Sequence, residues 1–215
     1  FVMIDIRGAL KGGLNEYSFL GGMRPGLDSI LERIRLAEKD SSIDGIILRI
    51  GGFEGGLGGA AVVQELRDEL ARIKAKGKRI IAYIEGSALG DEYYLASIAD
   101  RIVAAPASGI GGFGRSLAVY RLWGLYKKIG IEYQVLSKGK FKYAVDPLSP
   151  SMTPGQKEML EGVVGDIYRQ MLTDIAGDRR LSLDKLKEIG DGMFFPAQLA
   201  QKMGLIDRVG YLADL

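Results

Sequence analysis

Three stretches of this sequence combine reactive side chains, or the glycines that could serve them, with spacings that chemistry can use. In Glu85-Gly86-Ser87-Ala88-Leu89-Gly90-Asp91-Glu92-Tyr93-Tyr94 a strand leads into a helix. Nucleophiles are presented at such junctions, and Ser87 is the only hydroxyl ahead of the helix. The structural alternative is a loop serine with Asp91 as a helix cap. In Ser137-Lys138-Gly139-Lys140-Phe141-Lys142-Tyr143-Ala144-Val145, Lys142 stands between two aromatic residues. A lysine desolvated by such neighbours has a lowered pKa and can act as a general base. The alternative is an ordinary solvated basic loop. In Gly51 to Gly59 a glycine-rich loop precedes a long helix, and its backbone N–H groups could hold a developing oxyanion. The alternative is a tight turn for helix–sheet packing.

What the loop lacks narrows it further. Gly56 is followed by Leu57-Gly58, with no Lys-Ser/Thr pair for a phosphate-binding P-loop. The spacing does not fit a dinucleotide fingerprint either. Composition removes other chemistries: the 215 residues contain no histidine and no cysteine. That excludes a Ser-His-Asp triad, thiol catalysis, an Fe–S cluster and the Cys/His zinc sites. Acid–base work is left to Asp, Glu, Lys and Tyr. No metal and no cofactor is expected. A net charge of +2 lacks the clustered basic excess of a nucleic-acid binder, and no apolar run approaches a membrane span. The chain begins at Phe1 rather than Met, so it is expected to be a trimmed piece of a longer protein.

The elements that must position these residues alternate. Strands are expected at Val2–Arg7, Gly45–Ile50, Arg79–Ile84, Arg101–Ala104, Ile131–Leu136 and Leu205–Val209. Helices are expected at Pro25–Asp40, about 59–76, Glu92–Ala99 and Leu117–Ile129. From residue 151 the character turns helical. A helix opens at Thr153-Pro154, an N-cap followed by proline, and runs to about Ala176. Two shorter helices follow near 182–189 and 196–203. Alternation with short connections implies parallel βαβ units in one α/β domain spanning 1–215.

Taken together, these segments resemble peptidase family S49, the Ser-Lys signal peptide peptidase A (protease IV) family. The likeness rests on Phe53-Glu54-Gly55-Gly56 after a strand, and on Tyr93-Tyr94-Leu95-Ala96-Ser97-Ile98-Ala99-Asp100-Arg101-Ile102. It continues through the glycine-rich stretch and helix of Gly109 to Ile131, and through Gly139-Lys140-Phe141-Lys142 leading to Pro154. It ends with Gly190-Asp191-Gly192-Met193-Phe194-Phe195, then Gln198 to Asp207. The resemblance implies a ClpP/crotonase-like α/β fold: a mostly parallel sheet with covering helices and a helical C-terminal part.

It also implies acyl transfer by a serine with a lysine base, which needs neither histidine nor cysteine. Lys142 matches the base, and Gly55 and Gly56 match the oxyanion loop. In catalytic domains of the family the nucleophile sits in Ala-Ser-Gly-Gly-Tyr-Tyr. Aligned on Tyr93-Tyr94, that position here is Gly90, with Asp91 and Glu92 in place of the two glycines. The nucleophile position is therefore vacant, with Ser87 a weak substitute. The pattern is similar to the lysine-bearing first domain of the long, two-domain form of the family.

The implied partners are an extended apolar peptide, such as a signal-peptide remnant, and a second S49 domain or neighbouring subunit that supplies the serine. A homo-oligomer is implied, and so is a place in the cell envelope, membrane-anchored with the peptidase domain outside the cytoplasm. Two other readings stand beside this one. Gly90 also suits a catalytically inactive peptide-binding or structural domain. A crotonase-type acyl-CoA enzyme shares the fold but would need a CoA pocket and an acidic pair, which nothing in the sequence marks.

Overall fold

Residues 45–50 (GIILRI) are apolar apart from Arg49, which suits a strand in the middle of a parallel sheet. In the computed structural model they form such a strand. The structure describes residues 1–6, 16–18, 22–24, 26–51 and 59–215. In chain order the elements begin with β1 (Val2–Ile6), the short antiparallel pair β2 (Glu16–Ser18) and β3 (Gly22–Arg24), and α1 (Leu27–Lys39). There follow β4 (Gly45–Ile50), α2 (Ala60–Ala75), β5 (Arg79–Ile84), β6 (Ser87–Leu89), α3 (Asp91–Ser97), β7 (Arg101–Ala104) and β8 (Gly109–Gly111). The remainder is α4 (Trp123–Lys128), α5 (Pro154–Arg179), α6 (Leu183–Ile189), β9 (Phe194–Pro196), α7 (Ala197–Met203) and β10 (Arg208–Val209).

The chain divides into two compact units, 1–114 with 171–215, and 115–170. The first contains a five-stranded parallel sheet in the order β1-β4-β5-β7-β10. A second, three-stranded sheet pairs β6 with β8 in parallel and β8 with β9 antiparallel. The core lies between the large sheet and its helices. Leu27, Ile30, Leu31, Ile34 and Ala37 of α1 and Val63, Leu66, Leu70 and Ile73 of α2 are buried at helical spacing. Fully burying each such aliphatic side chain stabilises the fold by about 1.5–3 kcal/mol.

Two aspartates of the family-like segments fix strand entries. Asp100 accepts the Ile80 N–H at 2.8 Å and Asp207 accepts the Ile102 N–H at 2.7 Å. Each satisfies a backbone donor at the end of the parallel ladder, which would otherwise be left unpaired. Tyr93 is wholly buried, donates to the Leu205 carbonyl at 2.6 Å and meets the Phe113 ring at 5.0 Å. It thereby holds α3 to the segment that leads into β10.

The second unit differs from the sequence expectation. Of the helix expected over Leu117–Ile129, only Trp123–Lys128 is helical. No side chain caps its start, and Leu117, Tyr120, Leu125 and Ile129 are exposed, so no buried face holds a longer helix together. The strand expected at Ile131–Leu136 is absent. Its residues pair with no strand among the described residues, and Leu136 is 90% exposed. The Thr153-Pro154 start is confirmed. Gln156 N–H donates to Thr153 Oγ1 and Thr153 N–H to Gln156 Oε1, a reciprocal capping box. Among the described residues no helix is long and apolar enough to cross a membrane.

Candidate active site

The path from β6 through Gly90 into α3 is a strand–turn–helix of the kind that displays a nucleophile. Gly90 is the residue before the first turn of α3, with φ 57° and ψ −110°. Side-chain-bearing residues rarely adopt that conformation, except where a site holds them in it. Backbone bonds fix it on both sides. The Gly90 N–H donates to the Gly111 carbonyl at 2.8 Å, and the Gly90 carbonyl accepts the Tyr94 N–H at 2.9 Å. A Cβ placed on Gly90 would meet nothing closer than the Gly112 carbonyl oxygen, at 3.5 Å. The seat is therefore shaped and open, and it carries no side chain.

Ser87 does not fill that seat. It lies at the far end of β6, exposed, opposite Gly109 in the β6–β8 ladder. Its Oγ would stand 3.2 Å from a Cβ on Gly109, so it faces the neighbouring strand rather than the turn.

Asp91 and Glu92 open α3. Glu92 is buried, and burial raises its carboxyl above the ordinary value, with the Asp91 charge adding to the effect. Beneath the turn lies a polar network that the sequence reading did not single out. Arg67 of α2 is buried, and its guanidinium lies 4.1 Å from the centre of the Tyr94 ring. It donates to the Tyr94 carbonyl, to Ser97 Oγ at 2.9 Å and to the Asp178 carboxylate at 2.7 Å. Ser97 Oγ also donates to Asp178 at 2.8 Å. The Tyr94 hydroxyl bonds Gln64 and Asp174, and burial, reinforced by Asp174, raises its pKa. The signal was in the spacing. Arg67 falls four residues after Val63 and three before Leu70, inside the apolar stripe of α2.

Lys142 belongs to the second unit and lies in a run of turns over 138–145. Its N–H donates to the Gly139 carbonyl at 3.2 Å, and Ala144 N–H to the Phe141 carbonyl at 3.1 Å. The expected desolvation does not occur within this chain. Lys142 is exposed, Phe141 and Val145 are exposed, and only Ala144 of the segment is buried. The reason is that adjacency along a turn does not enclose a side chain; packing from another element must do that. Lys140, not Lys142, lies over the Phe141 ring, at 5.4 Å. Gly55 and Gly56, the expected oxyanion donors, lie outside the described residues.

Comparison with known proteins decides the family. The sequence pattern of "Peptidase family S49" matches residues 72–215. The chain belongs to peptidase family S49. Its parallel sheet with covering helices is accordingly the ClpP-like α/β fold of that family. Among its relatives is the protein MJ0651 of Methanocaldococcus jannaschii, 32% identical over 177 residues, which are 82% of this chain and 55% of that one. The chloroplastic serine protease SPPA of Arabidopsis thaliana is 28% identical over 86% of this chain and 27% of its own length. Protease 4 of Salmonella typhi is 24% identical over 99% of this chain and 33% of its own length. The chain thus spans about half of MJ0651 and about a third or less of the other two. Membership in this family makes it a peptidase-family protein.

Proposed function

We propose that this chain is the lysine-bearing part of a Ser-Lys peptidase that cleaves extended apolar peptides such as signal-peptide remnants. The observation that carries the reading is the Gly90 turn: a nucleophile's backbone seat without its side chain. The serine then comes from a second S49 domain or a neighbouring subunit. Lys142, in its neutral form, takes the proton from that serine's Oγ as Oγ bonds to the scissile carbonyl carbon. Backbone N–H groups at Gly55 and Gly56 receive the tetrahedral oxyanion. The proton then passes to the leaving amine, and water hydrolyses the acyl-enzyme with the same lysine as base. Substrate lies beside the 51–59 loop as an added strand.

The exposed state of Lys142 in the single chain agrees with this arrangement, because a base needs a lowered pKa and a covering partner would provide it. The unit that carries it has apolar side chains to cover as well. Leu117, Tyr120, Leu125, Ile129, Ile131 and Leu136 are all exposed. A homo-oligomer would supply that cover. The assembly is placed in the cell envelope, tethered to the membrane by a segment outside this chain.

The same Gly90 favours a second reading, a peptide-binding domain without catalysis, in which Lys142 is an ordinary surface lysine. Lys142→Ala in the full-length assembled protein separates the two. Loss of the base should reduce peptide cleavage by roughly 10²–10⁴-fold, with circular dichroism and assembly size unchanged. Cleavage at the unaltered rate would refute the base role and leave the second reading.

A further inference from the structure

We infer that the open edge of β1 and the cleft beside it form a docking site for an extended peptide, which adds to β1 as a strand, sets a bulky apolar side chain in the cleft and turns an acidic one toward Arg33. β1 is the last strand of the large sheet. It pairs with β4 on one side, and among the described residues no strand pairs with its other edge. The cleft lies between β1 and the C-terminal half of α1. Its volume is about 370 Å³, toward the lower end of the ~300–1,000 Å³ usual for ligand clefts. Val2, Ile4, Leu36, Ala37 and Ile43 give it an apolar lining, and Arg33 and Asp40 are its charged residues. The two charges are not equally available. The Asp40 carboxylate accepts the Ser42 N–H at 2.8 Å and the Ser42 hydroxyl at 2.7 Å. Arg33 is exposed and makes no ion pair or hydrogen bond among the described residues, whereas Arg35 of the same helix pairs with Glu69. The cleft therefore presents an unspent cation, which favours an anionic partner group.

The strand itself favours a peptide over any other apolar ligand. Edges that must stay empty are blunted by charge, proline or a bulge. β1 (VMIDI) has no proline and no lysine, and its single charge, Asp5, lies beyond the cleft residues Val2 and Ile4. Its register with β4 runs unbroken from Val2↔Ile46 to Ile6↔Ile50, so no bulge turns the edge away. Such an edge holds a row of backbone N–H and C=O groups that an extended chain can pair with. Alternate residues of the added chain face α1, and two such residues stand about 6.7 Å apart. Leu36 and Arg33 are about 4.5 Å apart along their helix. An apolar residue beside Leu36 thus brings the residue two positions away within reach of the long Arg33 side chain. The site is separate from the substrate path proposed above and does not depend on the peptidase reading. The glycine loop follows Ile50, whereas Val2 pairs with Ile46, about 13 Å back along β4.

Fluorescence anisotropy on the full-length protein supplies the test. The labelled probe is Glu-Thr-Leu-Thr-Glu, whose sequence reads alike in both directions and so suits either strand polarity. Lys142→Ala is the background, which keeps the probe intact if the peptidase reading holds. The probe should saturate with a Kd below about 1 mM, and Lys-Thr-Leu-Thr-Lys should bind at least about fivefold more weakly. Arg33→Glu should reverse that preference, and Arg33→Gln should remove it. Replacing the probe's leucine by alanine should weaken binding roughly tenfold. N-methylation separates strand addition from a simple apolar pocket, because only alternate residues of a strand bond a given neighbour. Methylating the leucine nitrogen, or methylating both threonine nitrogens, should abolish binding, and the other pattern should leave it intact.

Failure of the glutamate probe to saturate, as when a second copy or another segment of the same chain already fills the edge, overturns the inference. So does a preference that Arg33→Glu and Arg33→Gln leave unchanged, which would place the probe elsewhere, or tolerance of both N-methylation patterns. The peptidase reading is judged on cleavage alone, by Lys142→Ala against the parent, so neither result decides the other.

Discussion

Replacing Gly90 by alanine tests whether the turn before α3 is an open seat or merely a tight corner. Two quantities set the cost. The backbone at φ 57° and ψ −110° is sparsely populated for any residue with a Cβ, and holding alanine there costs about 1–3 kcal/mol. Alanine also narrows the unfolded ensemble, which returns about 0.4–1 kcal/mol. No steric cost is added, because the nearest atom to the new Cβ is the Gly112 oxygen at an ordinary 3.5 Å. The net loss is therefore between about 0 and about 2.6 kcal/mol. In a chain of 215 residues each kcal/mol shifts the midpoint by roughly 2–4 °C, so a fall of at most about 10 °C follows.

Gly45→Ala provides the contrast. A Cβ on Gly45 would stand 2.2 Å from the Arg79 carbonyl oxygen and 2.6 Å from the Phe1 ring. Arg79 is the residue paired with Gly45 in the β4–β5 ladder, so two central strands would have to part. Overpacking of this kind costs about 1–3 kcal/mol or more, and here it acts on backbone, which cannot change rotamer. Thermal and urea unfolding followed by circular dichroism should thus rank the variants: parent, then Gly90→Ala, then Gly45→Ala far below. Gly90→Ser should fall close to Gly90→Ala, since its Cβ meets the same 3.5 Å contact. A Gly90→Ala variant as damaged as Gly45→Ala would show that nothing can be seated at the turn. A Gly90→Ala variant more stable than the parent would show that the left-handed backbone is not held. Either result refutes the reading of Gly90 as a vacant nucleophile position.

Two further predictions concern pH. Burial raises the Glu92 carboxyl above its ordinary 4.5, so the folded chain holds that proton more tightly than the unfolded one; the contribution is complete below pH 4.5 and is lost as pH rises through the folded value. Glu92→Gln should therefore melt higher than the parent at neutral pH and equally below pH 4.5, and a lower midpoint at neutral pH would contradict the burial argument. Glu38 has the opposite sign: Arg72, then Lys76, hold its carboxyl down to about 2, so its contribution is present above 4.5 and disappears as pH falls toward 2. Glu38→Gln should destabilise at neutral pH, with the difference from the parent closing by about pH 2; a difference that persists there would rule out the ion pairs as its cause.

What could be read from the sequence, and what could not, follows from where each element obtains its stability. β4, β5 and β7 are legible because burial on both faces makes them nearly continuous apolar runs, broken only by Arg49, Arg79 and Arg101. The stripes of α1 and α2 are equally plain. β6, β8 and β9 are three residues each, too short to show a period, and they exist only because each finds a partner. The reverse holds at Ile131–Leu136, where strand-like composition finds no partner strand and remains unpaired. Gly90 was singled out by its distance from Tyr93-Tyr94, and the structure finds a positive-φ turn there.

Lys142 and Arg67 show how side-chain environment escapes a linear reading. Lys142 has aromatic and aliphatic neighbours in sequence, yet a turn spreads them outward and leaves the amine in water. Arg67 has Leu66 and Asp68 beside it and resembles any surface residue of a charged helix, yet it is buried because α3 and α5 close over its face of α2. Charge in sequence therefore misidentified which cation is enclosed. The buried one spends its terminal nitrogens on Tyr94, Ser97 and Asp178 within this chain. For the exposed one to be the base proposed above, a partner must supply the burial that its own chain does not. On the proposed reading, the solvated Lys142 and the empty position at Gly90 call for the same thing: a second surface that buries the amine and brings the serine that the turn lacks.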